Sequence, residues 1–434
     1  MRNGFLLERI AIFQEFFSSG IFYLIPFLIA MGVNNFTIGL ANSIAFLASF
    51  LAPIALTPIF EKFGIKKISL KLGFVFLFPA LALILLIIFS KKIIFNLFLI
   101  LFFIAYAILY FIETAFSFGI TSIIPRVIEA RQRASFIASR LRNIFIINSI
   151  AFLTYGAILE IFKFNPLNFA IVISIATLFK FIAILNFQKL KFKEKKHKCK
   201  FEFKIPKINN SFYLFLSLIG LVEFSIMIAT PFITPYLLKE LKLSYLFFGL
   251  TLALGALGKL VFFGISGKIS DRYSNENIII YSLFGVSIVP ILYAMIKPAL
   301  AFLAIIPAFV AGSFWSFYSV ANSNLIFKLA SGRINKLGIY MSTISAIAFL
   351  APLIGGFLAD KFFIFGLSGF IFIFILSSIL RFISLTVVST QIQKIPERKH
   401  KLSFIGFIKN VIQLSPSEEV AKSFLHLKKV LLLK

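Results

Sequence analysis

Twelve long apolar runs constrain this chain more than anything else in it. They cover residues 8–31, 36–60, 68–89, 94–122, 135–159, 166–187, 211–237, 245–267, 277–296, 299–326, 336–359 and 365–388. A helix needs about 20 apolar residues to cross a bilayer, and every run reaches that length. The runs are continuous rather than alternating, which fits helices and not barrel strands of about ten residues. Only 14% of the 434 residues are charged and 60% are hydrophobic. An ordinary soluble domain is about 25% charged. Mean hydropathy is +1.00. A water-soluble globule and a disordered chain are both excluded. The fold class is therefore an all-α membrane protein with twelve transmembrane helices.

The first run is too long for the apolar core of a cleaved signal, about 7–15 residues, and it contains Gln14 and Glu15. A lone cysteine, Cys199, allows no disulfide within the chain. His197, His400 and His426 lie outside the apolar runs, so no histidine-based metal or haem site is expected in the membrane. No cofactor is expected. No Gly-x-x-x-x-Gly-Lys-Ser/Thr run occurs, which argues against ATP hydrolysis by a P-loop.

The net charge is +28, from 44 Lys and Arg against 16 Asp and Glu. Its placement gives topology. Lys62, Lys66, Lys67 and Lys71 follow span 2, and Arg126, Arg131, Arg133, Arg140 and Arg142 follow span 4. A lysine-rich stretch follows span 6, Lys268 and Arg272 follow span 8, and Lys328, Arg333 and Lys336 follow span 10. These are the even loops, so both termini are expected on the cytoplasmic side of the cytoplasmic membrane. A nucleic-acid partner is not expected. The 60 Phe, with abundant Lys, Ile and Asn, match a GC-poor genome as much as any function.

Beyond the last run, residues 389–434 form a basic tail with two amphipathic stretches. Phe404, Ile405, Ile408, Val411 and Ile412 form one helical face, and Ser415-Pro416-Ser417-Glu418 reads as a second helix start. The tail is expected to lie on anionic lipid headgroups, or else to pack on the protein body or a partner.

The two halves repeat at about 200–210 residues. Gly39 and Glu61 precede Gly249 and Asp271 at one spacing. Arg133, Ala151, Gly156 and Glu160 precede Arg333, Ala351, Gly356 and Asp360 at another. Pro26 matches Pro235, and Lys180 nearly matches Arg381. Two pseudo-symmetric six-helix bundles follow, at 1–187 and 211–388, joined by a basic linker at 188–210. After spans 2 and 8 lie Thr57-Pro58-Ile59-Phe60-Glu61-Lys62-Phe63-Gly64-Ile65-Lys66-Lys67 and Gly267-Lys268-Ile269-Ser270-Asp271-Arg272-Tyr273. With twelve spans, a parallel repeat and a basic central loop, the chain resembles the Major Facilitator Superfamily over about residues 8–388.

The resemblance implies a secondary transporter whose spans 1, 4, 7 and 10 line a central cavity. It also implies a cytoplasmic latch of Gly267, Asp271 and Arg272 with Glu61 and Lys62, for which Arg133 and Arg333 are candidate partners. Departures count too. Span 4 lacks the Arg, and span 5 the Gly-Pro-x-x-Gly-Gly-like run, usual in drug–proton antiporters of that family. A similar run, Ala351-Pro352-Leu353-Ile354-Gly355-Gly356, stands in span 11 instead.

A carboxylate inside a span costs about 2.5–3.5 kcal/mol on insertion scales, so it marks a functional candidate. Glu15, Glu113 and Glu223 qualify, on spans 1, 4 and 7. Each heads a polar stripe at helical spacing. The stripes hold Ser18, Ser19 and Tyr23 on span 1, Tyr106, Tyr110, Thr114 and Ser117 on span 4, and Met227, Thr230 and Thr234 on span 7. Span 10 offers Trp315, Tyr318, Ser319 and Asn322. The hydroxyls and Asn322 can instead bond between helices. Lys259 in span 8 lies deep enough to pair with an acid such as Glu223. Lys180 and Arg381, about two turns from the inner face, are expected to snorkel to headgroups.

The expected function is proton-coupled secondary transport of a small organic solute by alternating access, performed by a monomer and not by an enzyme. Its rivals are an efflux pump for amphipathic or cationic compounds, a membrane-embedded enzyme, and a non-transporting sensor or scaffold on the same fold.

Overall fold

The computed structural model describes residues 2–128, 130–161, 165–191, 210–330, 334–362, 368–395 and 400–413. Among these residues, twelve helices are long and apolar enough to cross a membrane. They are spans 1 to 12 in chain order: Asn3–Ala30, Asn35–Phe60, Ile65–Ile88, Phe95–Ile124, Ser139–Ile161, Pro166–Gln188, Asn210–Glu240, Tyr245–Arg272, Asn275–Ala294, Pro298–Leu329, Gly338–Lys361 and Gly369–Lys394. No strand forms among the described residues; Tyr273 and His400 share an isolated bridge. The twelve-helix expectation holds. Side chains such as Phe78, at 73% exposure, and Ile100, at 58%, point outward from the spans and need lipid as their solvent.

Prolines interrupt spans 1 and 7, while Pro53, Pro58, Pro290 and Pro352 sit inside continuous helices. In span 1 the helix Arg2–Ile21 stops, turns at Phe22–Tyr23 and resumes at Leu24, just before Pro26. In span 7 the helix Asn210–Met227 gives way to a 3₁₀ turn at Thr230–Phe232 and a π-turn at Tyr236–Glu240. Pro231 has no N–H for the Met227 carbonyl and its ring crowds that oxygen, so the ladder cannot continue. The two broken spans are repeat mates. Between spans 2 and 3 the chain reverses through Gly64, whose φ of 90° suits glycine.

Contacts divide the chain into two compact units. One takes the residues up to Met31 and those from Ile44 through span 6; the other takes Gly32–Ser43 and the described residues from span 7 onward. In the first unit the core joins Leu7 and Ile10 of span 1, Phe116 and Ile120 of span 4, and Phe187 of span 6. In the second, Phe215 and Ile219 of span 7 pack with Ile279 of span 9, Phe317 and Ala321 of span 10, and Val388 of span 12. Spans 8 and 10 approach to backbone contact. A Cβ on Gly312 would lie 2.0 Å from the Gly255 carbonyl oxygen, so no larger residue fits.

Past span 12 the chain returns to the start of span 9. Asn277 Nδ2 and Tyr281 Oη both donate to the Leu402 carbonyl, at 2.8 and 2.6 Å. A surface helix, Phe404–Gln413, follows. Its Phe407 is buried against Phe317 and Tyr281, with ring centroids 5.0 and 5.6 Å away, while Ile405 and Ile412 stay exposed. This stretch of the tail packs on the body by one face. The second amphipathic stretch, at 415–434, and most of the basic linker, at 192–209, lie outside the described residues.

Candidate functional site

Each unit holds a carboxylate–cation cluster inside its spans. In the first unit, Glu113 on span 4 pairs with Lys180 on span 6. Gln14 Nε2 on span 1 donates to Glu113 Oε1 at 2.6 Å and also to the Ser117 hydroxyl. Ser117 Oγ in turn donates to Glu113 at 3.3 Å. Three spans thus converge on one carboxylate. The Lys180 ammonium is fully buried, with the rings of Phe116, Phe17 and Phe76 at 4.1, 5.3 and 5.3 Å from it. Ring faces attract a cation, so this cage holds the charge without water. Tyr106 and Tyr110 stand two turns and one turn earlier on span 4, their rings 4.5 Å apart.

Glu15 lies apart from that cluster. Its charge acts on Arg140 of span 5. Ser19 and Tyr23 also serve span 5: Ser19 donates to Asn148 at 2.7 Å and Tyr23 to the Phe152 carbonyl at 2.7 Å. Most of the span 1 stripe therefore bonds between helices, and the contact from span 1 to Glu113 comes from Gln14, which adjoins the stripe.

In the second unit, Glu223 on span 7 is half-buried beside Tyr318 of span 10, whose hydroxyl adjoins the carboxyl without closing a well-aligned hydrogen bond onto it. Arg381 of span 12 is a cation whose charge acts on Glu223; Lys259 lies half-buried on span 8. Arg381 Nη1 donates to the Val286 carbonyl at 2.8 Å, and Nη2 to the Ile226 carbonyl at 3.3 Å and the Thr230 hydroxyl at 3.4 Å. The guanidinium thereby satisfies backbone at the span 7 break. Asn322 Nδ2 donates to Tyr340 Oη of span 11 at 2.8 Å. Trp315 packs edge-on to Tyr318, with centroids 5.2 Å apart.

Snorkelling is the wrong account of Lys180 and Arg381. Lys180 is 0% exposed and Arg381 6%, because each has a polar partner in its own bundle and no reason to reach the headgroups. Sequence reasoning also missed Gln14 and Tyr340. The available signal was the near-match of Lys180 and Arg381 in the repeat, since two cations at one place in two apolar spans need two acids. The repeat goes further. Gln14 and Glu223 precede Pro26 and Pro235 by the same number of residues. Spans 1, 4 and 6 supply Gln14, Glu113 and Lys180; their mates 7, 10 and 12 supply Glu223, Tyr318 and Arg381. Both clusters have one acid and one cation, with the acid moved to the neighbouring helix.

The sequence profile of the Major Facilitator Superfamily matches residues 10–336 and 216–431. The chain belongs to that superfamily. Solved structures agree on the fold. The nucleoside transporter NupG superposes with a TM-score of 0.65 at 13% identity, over 90% of this chain and 99% of that one. A bacterial homologue of the iron transporter ferroportin, in an inward-facing state, gives 0.67 at 15%, over 90% and 98%. A D-xylose-proton symporter gives 0.66 at 12%, over 90% and 95%. No curated protein matches the chain in sequence. At these identities the likeness establishes a major facilitator fold and nothing about cargo.

Of the residues that the major facilitator signature singles out, Gly267 is half-buried near the end of span 8. Asp271 and Arg272 are exposed at that end and pair with nothing among the described residues. Lys62 is exposed near the end of the span 2 helix. The side chains of Glu61 and Arg133, and all of Arg333, lie outside the described residues.

Proposed function

We propose that this major facilitator protein carries a small organic solute across the cytoplasmic membrane by alternating access, with protons as the coupling ion and both termini in the cytoplasm. The observation that carries the reading is the Glu113–Lys180 cluster, a carboxylate held by a caged ammonium in the midst of apolar spans. Such a pair stays closed only while its geometry holds. A carboxylate parted from its cation in a low dielectric takes up a proton, and exposing it to each side in turn moves that proton. Glu223, with Arg381 and Tyr318, gives the second unit a comparable group. The Lys and Arg of the even loops support the orientation. The surface helix, with Lys401 and Lys409 beside its apolar face, suits an anionic leaflet.

The test is reconstitution of the full chain, as a monomer, in proteoliposomes with an imposed pH gradient. The solutes are nucleosides and pentoses, after the cargo named for two of the structural relatives. Glu113→Gln and Glu223→Gln should each abolish or uncouple gradient-driven uptake. Full gradient-driven flux in both variants would refute the coupling. The Trp315–Tyr318 ring pair beside Glu223 favours a second reading, export of amphipathic cations held by cation–π contact. Gradient-driven movement of such a cation in the opposite direction, with no movement of the other solutes, would select it.

A further inference from the structure

The tail closes onto the start of span 9 and leaves half of its apolar surface uncovered. The Ser274 N–H donates to the His400 carbonyl at 3.0 Å, next to the two donors on the Leu402 carbonyl. Ser403 then starts the surface helix, its hydroxyl accepting from the Gly406 N–H at 3.1 Å. At about 100° per residue, the apolar arc of this helix runs from Phe407 and Val411 through Phe404 and Ile408 to Ile412 and Ile405. Phe407 and Val411 pack on the core of the second unit. At the far end of the arc, Ile405 and Ile412 are 79% and 75% exposed.

The neighbours of that outer face indicate its cover. The Phe404 ring lies 5.4 Å from Tyr281 and 6.0 Å from Phe284, and Phe284 is itself exposed on the outside of span 9. The uncovered face therefore continues the lipid-facing wall of span 9. Its contacts fall within the first three turns of that span, a depth that suits the boundary between headgroups and acyl chains. Lys401 and Lys409 are exposed beside the face, and no acidic residue occurs between His400 and Gln413. Apolar area flanked only by positive charge fits an anionic phospholipid surface. The inner face leads elsewhere. Phe407 lies 5.0 Å from Phe317 of span 10, and the next residue, Tyr318, adjoins Glu223 and packs on Trp315.

We propose that anionic phospholipid is an allosteric ligand of this helix. Headgroup phosphates on Lys401 and Lys409, with acyl chains on Ile405 and Ile412, hold Phe407 against span 10 and so set the packing around Glu223. The proposal rests on the leaflet reading above and adds that the leaflet reaches the carboxylate site. The two states are the helix docked and the helix released. A lipid that binds the docked state favours it, and docking through Phe407 strengthens lipid binding by the same factor.

The test needs no cargo and reads the two faces separately. For the outer face, the full chain with Cys199→Ser and Ile412→Cys carries a bimane label in vesicles of acyl-brominated phosphatidylcholine, with and without phosphatidylglycerol. For the inner face, Trp315, the one tryptophan of the chain, reports by its emission in the same lipids without bromine. Phosphatidylglycerol should raise bromine quenching several-fold and shift the Trp315 emission. Lys401→Gln with Lys409→Gln should lose both effects, and Phe407→Ala should lose the Trp315 shift. The lysine pair is exposed, so it decides the matter if Phe407→Ala fails to fold. Quenching that rises with phosphatidylglycerol while Trp315 stays unmoved would overturn the proposal and leave the leaflet reading standing. Quenching by aqueous iodide alone would remove both. So would quenching by neither agent, which would mean that protein covers the face.

Discussion

A lysine and a glutamate that meet inside an apolar bundle hold each other in place, and removing either leaves a bare charge behind. Lys180→Met keeps the length and deletes the ammonium, leaving Glu113 uncompensated. The expected loss is about 3–5 kcal/mol. The double variant Glu113→Gln with Lys180→Met should recover most of it, since no charge then remains to be solvated. Thermal denaturation of the purified protein in detergent measures both. A Lys180→Met variant as stable as the parent would mean that water reaches Glu113 freely. Glu113 and Glu223 were legible in the sequence because acids are rare in spans. Gln14 was not, because a neutral amide among apolar residues shows nothing of its partner.

Proline placement was legible at the scale of the element. The breaks at Phe22–Tyr23 and after Met227 follow from Pro26 and Pro231, through a missing N–H and a ring that crowds the preceding turn. The surface helix was legible as amphipathic, but its seat was not. Its periodicity fits lipid and protein equally, and the choice was made by Phe407, which enters the core of the second unit, and by the Leu402 carbonyl, which takes two side-chain donors. Phe407→Ala should therefore release the helix, with about 3 kcal/mol lost. Limited proteolysis within 404–413 should accelerate by roughly a hundredfold. Ile405→Ala, on the exposed face, should change little. Equal cleavage rates for the two variants would contradict docking through Phe407.

For the whole molecule, transport requires two states of similar free energy, and charges at span ends are a means of balancing them. Asp271 stands at the C-terminal end of the span 8 helix, where its own helix disfavours it by about 0.3–1 kcal/mol. Local stability does not account for an acid there. Asp271→Lys should slow turnover while leaving solute affinity nearly unchanged, read as a fall in kcat at constant KM; an unchanged kcat would remove the residue from the cycle. The sequence by itself determined the solvent, the number of spans, the repeat and the family, because hydrophobic length and proline chemistry act locally along the chain. Only the tertiary structure decided which charges meet. Lys180 reaches Glu113 across a gap of 67 positions in the chain, and Asp360 reaches Phe36 across 324. No local pattern encodes such partners, because the approach of two side chains is set by how whole helices pack.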